Sequence, residues 1–307
     1  MSRWLKRGCA LCSLSVALLV GCSPLAPGQR ACDAEQLPAH YLQLVEALSP
    51  RQQAWPAARW QAVDCHLASL TGTTQALELW RTYVAGRNAG QPLVGYKVAL
   101  GSSRSQQLFA LSSPVIGAFF AGELLPEGEP ISVAAGRRLA FEADLLVEIG
   151  SDAIMQATTI EQVAAAVARV YPFIEVPDLM VPIAPASGPA FIATNAAARF
   201  GVYGEAIEAR ADAAFIAALG AMQIRIEDQH GAVSGSASGN QLMGRPYNAL
   251  LYLVEALAAQ GMRLHAGDRV SLGAFGPPTP VVPGDVRRVR YNGLVEGREL
   301  VVEAAFR

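Results

Sequence analysis

Three carboxylates in the middle of the chain are placed where they could hold a metal ion together. Glu142 and Asp144 lie two residues apart in the apolar run 141–149, whose alternation predicts a β-strand. Successive side chains on a strand point to opposite faces, so these two acids share one face. Glu175 lies in a second apolar run, 171–178, where an unpaired charge would be costly. Carboxylate oxygens suit hard cations, so the acids predict a site for Mg²⁺, with Mn²⁺ or Ca²⁺ as alternatives.

A simpler interpretation of the two acids on the first strand stays open. Acidic residues on a half-buried strand often form a solvated face that binds nothing. Leu146 interrupts this acidic face, which argues against open solvent there. Three converging carboxylates without a cation would also repel one another and take up protons.

Lys97 is the residue to which we assign a catalytic role. It lies in the run 93–100, which predicts a strand, and it is the only lysine after residue 21, where the other 20 basic residues are arginines. Lysine differs from arginine in being a compact donor whose pKa can be lowered. The alternative is a lysine on a solvated strand edge.

A helix must connect the two acidic strands. Residues 158–161, Thr-Thr-Ile-Glu, have the spacing of a capping box. Ile160, Val163, Ala164 and Val167 then recur at helical spacing. After Glu175, the proline-rich residues 177–191 predict a loop over the site.

The remaining segments predict further helices and strands around this centre. Helices are expected before the first strand and after a Gly-Arg-Pro sequence, and a hairpin and closing strands are expected in the second half. The expected helices cover 39–49, 58–70, 73–87 and 244–261, the hairpin strands cover 222–228 and 232–239, and the closing strands lie within 268–307.

The first 21 residues have the features of a bacterial export signal. A basic head precedes an apolar core that is too short to span a membrane as a mature helix. The sequence Leu-Val-Gly-Cys at 19–22 resembles a lipobox, which implies cleavage before Cys22 and lipidation of its sulfur. Ser23 favours the outer membrane by the same resemblance. We therefore expect a lipid-anchored protein of the cell envelope, on the periplasmic face of the outer membrane; an ordinary signal peptide cut elsewhere is the alternative.

Cysteine content and charge give two further expectations. Cys32 and Cys65 would remain after lipidation of Cys22, and in an oxidising compartment they are expected to pair, although two buried thiols are possible. Cleavage would remove three of the 24 basic residues and none of the 26 acidic ones, leaving a net charge of −5. This charge offers no basic surface and therefore disfavours a nucleic-acid partner, and none is expected. The predicted organisation is a signal peptide (1–21), a tether (22–37), a helical N-terminal subdomain (38–90) and a β-rich catalytic domain that binds metal (91–307).

An ordered set of short motifs resembles the fumarylacetoacetate hydrolase superfamily over roughly residues 60–307. Its 2-keto-4-pentenoate hydratase / 2-oxo-3-hexenedioate decarboxylase branch is the most similar. The motifs are Gly-Tyr-Lys-Val (95–98), Pro-Val-Ile-Gly-Ala-Phe-Phe (114–120), Glu-Ala-Asp (142–144), Pro-Phe-Ile-Glu (172–175), Thr-Asn (194–195), Met-Gly-Arg-Pro-Tyr-Asn-Ala (243–249) and Gly-Ala-Phe-Gly-Pro (273–277).

The resemblance implies an α+β fold, a mixed β-sandwich or roll with an N-terminal helical subdomain. The metal ligands of the family fall on the three acids chosen above, and Lys97 falls at the substrate. Substrate contacts are expected at Asn195, Gly273 and Phe119, although an asparagine in a turn often serves only the local backbone. A homo-oligomer is also implied.

Three departures from the family pattern affect this site. Asp144 stands where Glu is usual. Leu272 replaces a hydroxyl that would reach the substrate, and Ser271 is expected to point to the opposite face because a shift of one residue on a strand reverses the face. The acid that often follows the Gly-x-x-Phe motif is displaced to Glu123.

The expected activity is that of a metal-dependent lyase acting on a small 2-oxo acid. Chelation of the substrate by the cation would favour an enolate, and Lys97 would stabilise it or move a proton. A carbon–carbon hydrolase of acylpyruvate type is the first alternative, but the family hydrolases use a histidine-centred pair. None of the four histidines, His40, His66, His230 and His265, lies beside a family motif. The second alternative is a catalytically impaired, lipid-anchored binding protein.

Overall fold

A helical segment precedes the sheets. The structure, a computed structural model, describes residues 32–46 and 57–307, and the chain from Cys32 onwards forms one compact unit. A 3-10 turn at Ala34–Gln36 lies in the last part of the predicted tether. Three helices follow, at Leu37–Glu46 (α1), Ala57–Leu67 (α2) and Thr73–Asn88 (α3), in agreement with the sequence pattern. The predicted signal peptide and Cys22 lie outside the described residues.

A disulfide joins the beginning of this segment to α2. Cys32 is bonded to Cys65, and their Cα atoms lie 5.4 Å apart. The bond closes a loop that contains the whole of α1, so the first described residues are attached covalently to the helices. In the part of the chain that the structure describes, no helix combines the length and apolarity needed to cross a membrane.

The main sheet is mixed and contains nine strands within the described residues. They are Leu93–Ala99 (β1), Val115–Phe120 (β2), Leu124–Pro126 (β3), Ala140–Ile149 (β4), Val167–Val176 (β5), Phe200–Tyr203 (β6), Ile207–Glu208 (β7), Arg269–Ser271 (β10) and Thr279–Pro280 (β11). The order along the sheet is β2-β1-β10-β4-β5-β6-β3, with β11 beside β4 and β7 beside β5. The pairs β1–β10 and β3–β6 are parallel and the others are antiparallel.

A second, four-stranded sheet packs against the first. Its strands are Gln223–Glu227 (β8), Val233–Ser238 (β9), Val286–Val295 (β12) and Arg298–Ala305 (β13), in the order β13-β12-β8-β9. The hairpin β8–β9 agrees with the sequence prediction. The expectation that the C-terminal strands close the main sheet is wrong for β12 and β13, because they pair with this hairpin and contact β5 from outside its sheet.

The remaining helices lie between the strands. They are Ser103–Leu108 (α4), Ile160–Ala166 (α5), Gly188–Ala193 (α6), Ala213–Ala221 (α7) and Pro246–Ala259 (α8). Two sequence details need correction. The capping box of α5 is formed by Thr159 and Gln162, one residue later than predicted, and Val167 already begins β5. The predicted loop 177–191 ends in the first part of α6, where a proline occupies the first turn.

The two faces of β4 enter different hydrophobic clusters. Phe141, Ala143, Leu145, Val147 and Ile149 belong to the main core. Leu146, on the acidic face, packs with Tyr171 and Phe173 in a small separate cluster. The alternation in the sequence therefore assigns the faces of this strand correctly, and both faces are covered beside the acids.

Candidate metal centre

Strand pairing brings the three predicted ligands together on one face of the main sheet. In the antiparallel pair β4–β5, Glu142 lies directly opposite Glu175, and Asp144 lies opposite Phe173. Directly opposed residues point to the same side, with Cβ atoms roughly 4.5–5.5 Å apart. Asp144 and Glu175 are buried, and Glu142 is the most exposed of the three acids.

Lys97 lies on the same face and contacts this acidic group. Its side chain is only 3 % exposed and its Nζ donates a hydrogen bond to Glu175 Oε1. The interpretation of Lys97 as a solvated edge residue is therefore wrong. Gly117 lies opposite Lys97 on β2, and a Cβ atom there would stand 3.0 Å from Lys97 Cγ and 2.6 Å from Asn195 O. The absence of a side chain at Gly117 leaves the space that the lysine occupies.

Ser271 is a residue of the site that the sequence interpretation placed on the wrong face. On β10 it pairs with Lys97 on one side and with Leu146 on the other, so it shares their face. Its Oγ donates to Asp144 Oδ2 at 2.5 Å, and Ser271 is fully buried. Leu272 lies in the main core instead. The signal for this assignment was in the sequence, since Val270 and Leu272 flank the serine as two core residues of an alternating strand.

The carboxylates are electrostatically unbalanced without a cation. Burial, followed by repulsion from Glu175, raises the pKa of Glu142 to about 8. The same causes raise the pKa of Asp144 to about 7, although the hydrogen bonds from Ser271 and the Leu145 amide oppose this shift. A divalent ion would remove the repulsion that raises both pKa values.

The side chains as they stand do not form a ready cation cage. Among residues 32–46 and 57–307, no three His, Cys, Asp or Glu side chains are arranged to hold a metal. Glu175 is engaged by Lys97, and Asp144 by Ser271 and two backbone amides. The donor set nevertheless fits a hard divalent ion in kind, because it consists of carboxylate oxygens on one face with an excess of negative charge.

Two of the residues that we predicted to contact the substrate, Phe119 and Asn195, are both buried but differ in their surroundings. Phe119 is fully buried and lies two residues from Gly117 on β2, so it shares the face of Lys97. Asn195 is 1 % exposed, and its side-chain amide forms hydrogen bonds with other residues of the protein. Its Oδ1 accepts from Trp80 Nε1 at 3.0 Å and from the Ala118 amide at 2.8 Å, while its Nδ2 donates to Ala118 O at 2.9 Å. Contacts of either residue with a substrate stay predictions.

Gly273 participates in the site through its backbone. Its N–H donates to Asp144 Oδ1 at 3.0 Å, and its φ of +120° favours glycine. A Cβ atom at this position would also approach Val98 O to 3.3 Å. Gly273 therefore orients a predicted ligand, and its predicted contact with substrate is not tested by these bonds.

Comparison with known proteins finds relatives that are named as hydratases. No protein-family model matches the chain. The chain is 30 % identical to the TodF product hydratase of Pseudomonas putida over 220 residues, which are 72 % of this chain and 79 % of that protein. It is also 30 % identical to 2-keto-4-pentenoate hydratase 1 of Dechloromonas aromatica over 207 residues, 67 % of this chain and 76 % of the relative.

Solved structures show the same fold. The 4-oxalocrotonate decarboxylase from Pseudomonas putida G7, complexed with magnesium and adipate, is matched with a TM-score of 0.72 and 22 % identity over 91 % of this chain and 100 % of that one. Its complex with calcium and acetate is matched with a TM-score of 0.70, also at 22 % identity.

The chain is an α+β protein with the fold of the 4-oxalocrotonate decarboxylase, and it carries acids and a lysine on one face of the main sheet. This confirms the predicted fold class. The chain belongs to the 2-keto-4-pentenoate hydratase family and is an enzyme of the hydro-lyase or decarboxylase type.

Proposed function

We propose that the chain is a divalent-metal-dependent lyase that hydrates or decarboxylates a small 2-oxo acid. The observation that carries the proposal is the placement of Glu142, Asp144 and Glu175 on one sheet face beside buried Lys97. The names of the relatives support the reaction type, since they include hydratases of 2-keto-4-pentenoate. The cation would be Mg²⁺, with Mn²⁺ or Ca²⁺ as alternatives.

Each residue of the site has a separate role. Glu142, Asp144 and Glu175 would hold the ion, which when bound acts as a Lewis acid towards a carbonyl oxygen. Lys97 is shielded from water and has donors on Nζ, so it stabilises negative charge on a substrate oxygen or transfers a proton. Phe119, fully buried on the same face, contributes to excluding water.

The positions of the histidines favour this reaction over carbon–carbon hydrolysis. The rings of His40 and His66 lie beside each other in the helical segment, with centroids 4.6 Å apart. His230 lies exposed in the turn of the β8–β9 hairpin, and His265 is exposed and lies 3.4 Å from Asp152. None of these contacts brings an imidazole to the acids, where a histidine-centred pair would have to activate water.

The proposal is tested by metal titration and turnover on three variants. In wild-type protein we expect Mg²⁺ binding by calorimetry and consumption of a 2-oxo acid or its enol, such as 2-hydroxypenta-2,4-dienoate, by absorbance. Glu142→Gln should lose Mg²⁺ binding. Lys97→Met should keep it and lose turnover by about 10²–10⁴-fold. Glu148→Gln is the matched control, because Glu148 lies on the same face of β4 but pairs with Arg169 and Tyr171.

Three results would contradict the proposal. Unchanged Mg²⁺ binding in Glu142→Gln would remove the site, and full turnover in Lys97→Met would remove the role of the lysine. Tight binding of 2-oxo acids without turnover in a metal-replete screen would favour a binding protein on the same fold.

We also propose that the protein is anchored by lipid in the cell envelope. The support is the lipobox-like sequence ending in Cys22, together with the Cys32–Cys65 disulfide, which is typical of oxidising compartments. Mass spectrometry of the N-terminal peptide should find lipid on Cys22, and Cys22→Ser should abolish membrane association. An unmodified Cys22 would contradict this. Light scattering of the soluble mature chain tests the predicted homo-oligomer.

A further inference from the structure

Asp144 has little freedom to change its orientation. Its Oδ1 accepts hydrogen bonds from the backbone amides of Leu145 and Gly273, and its Oδ2 accepts one from Ser271 Oγ. Each carboxylate oxygen offers about two lone-pair sites. Oδ1 is therefore saturated by protein donors, and Oδ2 keeps one site for another partner.

The main chain at Asp144 is held as well. The hydroxyl of Tyr291, from β12 in the second sheet, lies 2.5 Å from Asp144 O and 2.9 Å from Phe173 O. The same hydroxyl accepts a hydrogen bond from the Phe173 amide at 3.3 Å. Pro172 precedes Phe173 and has no N–H to give to the ladder. Asp144 is thus restrained by its neighbour Leu145, by Ser271 and Gly273 at the end of β10, and by Tyr291 of β12.

Ser271 is the only side chain among these donors to the carboxylate of Asp144 within the described residues. It is fully buried, and its partners on the two neighbouring strands are Lys97 and Leu146. A hydrogen bond to a charged acceptor is shorter and stronger than one between neutral groups. A substitution at position 271 can therefore remove one hydrogen bond to Asp144 while the two bonds from backbone amides stay in place.

We propose that Ser271 is a positioning residue that fixes the orientation of Oδ2, the one oxygen of Asp144 left for a metal, and so favours Mg²⁺ over Ca²⁺. The inference rests on the proposed function. Ca²⁺ takes six to eight oxygens and often binds a carboxylate through both of them, whereas Mg²⁺ requires octahedral geometry and usually takes one oxygen from each carboxylate. The Leu145 and Gly273 amides saturate Oδ1, so Asp144 binds a metal through Oδ2 alone, and Ser271 fixes the direction of that oxygen. Mg²⁺ demands near-ideal octahedral geometry and depends on this direction more than Ca²⁺, whose geometry is flexible. Glu175 is similarly engaged on Oε1 by Lys97.

The test compares Mg²⁺ and Ca²⁺ affinities of the metal-stripped mature chain by calorimetry. Ser271→Thr and Ser271→Val have nearly the same shape and differ in the hydroxyl, so they isolate the hydrogen bond even if Ser271→Ala is poorly folded. We expect Ser271→Val to weaken Mg²⁺ binding by about 10–100-fold, as is typical for a lost partner of a metal ligand. Ca²⁺ affinity should fall less, and Ser271→Thr should restore the preference for Mg²⁺.

A matched control separates this role from general destabilisation. Thr194 has the other buried non-aromatic hydroxyl among the described residues, and its Oγ1 donates to Ala190 O at 2.8 Å. Thr194→Val should leave both metal affinities unchanged. Equal Mg²⁺-to-Ca²⁺ ratios in the Thr and Val variants at position 271 would overturn the role of Ser271. Failure of the wild-type chain to bind either cation would instead overturn the proposed function.

Discussion

At the scale of single residues, the site is defined by negative charge that the protein itself does not neutralise. Glu142, Asp144 and Glu175 are close neighbours on one face, and Lys97 is the one cationic side chain bonded to them in the described structure. Burial and mutual repulsion raise the pKa of Glu142 to about 8 and that of Asp144 to about 7. The metal-free chain therefore holds protons near neutral pH that a cation would displace.

Proton release on metal binding follows from these pKa values. Both pKa values lie at or above neutral pH, so Mg²⁺ must displace protons as it binds at pH 7. Calorimetric titrations in two buffers of different ionisation enthalpy should give different apparent enthalpies at pH 7, and the difference should vanish well above pH 8. Identical enthalpies in both buffers at pH 7 would contradict the prediction.

The same pKa values predict how stability changes with pH. Both acids have folded-state pKa values above their ordinary values of 4.5 and 3.8, so the native state binds protons more tightly than the unfolded chain. Their contribution to the free energy of unfolding is thus largest below about pH 4 and is lost as the pH rises towards 8. Urea unfolding of metal-free protein should show this slope. The double variant Glu142→Gln, Asp144→Asn should reduce it, and an unchanged slope would refute the assignment.

At the scale of elements, the parallel strands β1 and β10 lie next to the acidic strand β4 and contribute the other polar residues of the site. Their pairing places Lys97 beside Ser271 and depends on Gly95, because a Cβ atom there would lie 1.8 Å from Arg269 O on β10. No flexible side chain can move aside, since the obstacle is the backbone of the neighbouring strand. The approach of these two strands is therefore possible only with glycine at this position.

Gly95→Ala is expected to destabilise the protein by about 1–3 kcal/mol or more, the typical cost of overpacking, and to weaken Mg²⁺ binding. Urea unfolding and calorimetry measure the two effects. Gly90→Ala is the control, because a Cβ atom there meets nothing within 4 Å. Equal stability of the two variants would show that β1 and β10 do not pack as described.

At the scale of the whole molecule, a buried ion cluster joins the helical segment to the sheets. Glu123 accepts from Arg87 of α3 at 2.8 Å and lies 3.4 Å from Arg199, which precedes β6. Its second oxygen accepts the Phe120 amide at 2.8 Å. All three charged residues are buried. Glu123, which the sequence comparison singled out as displaced, therefore has a structural role between these elements.

Glu123→Gln is expected to cost about 3–5 kcal/mol of unfolding free energy, because it leaves two buried guanidinium groups without their carboxylate. Chemical unfolding measures the loss. Glu208→Gln is the control, since Glu208 is exposed and pairs with Arg169 at 3.5 Å, and its removal should cost less than about 1 kcal/mol. A loss in Glu123→Gln as small as that of the control would contradict the structural role.

The sequence by itself determined the local features of this protein. A period of two residues assigned the faces of β4 and placed Glu142 and Asp144 together. The three helices at the beginning and the α8 helix also follow from local pattern. The family resemblance supplied the fold class and the reaction type, because the order of the motifs along the chain indicates the family even when the pairing of the strands is unknown.

The tertiary structure decided how distant strands are paired. Glu142 meets Glu175, and Ser271 reaches the lysine face, only through the register of β4–β5 and β1–β10. Tertiary packing also places β12 and β13 in a second sheet, and it brings the side-chain amide of Asn195 into hydrogen bonds with Trp80 and Ala118. Alternation along one strand carries no information about its register against another strand, and the parallel β1–β10 pair joins segments more than 150 residues apart. Packing of the whole chain sets that register, and with it the geometry of the site.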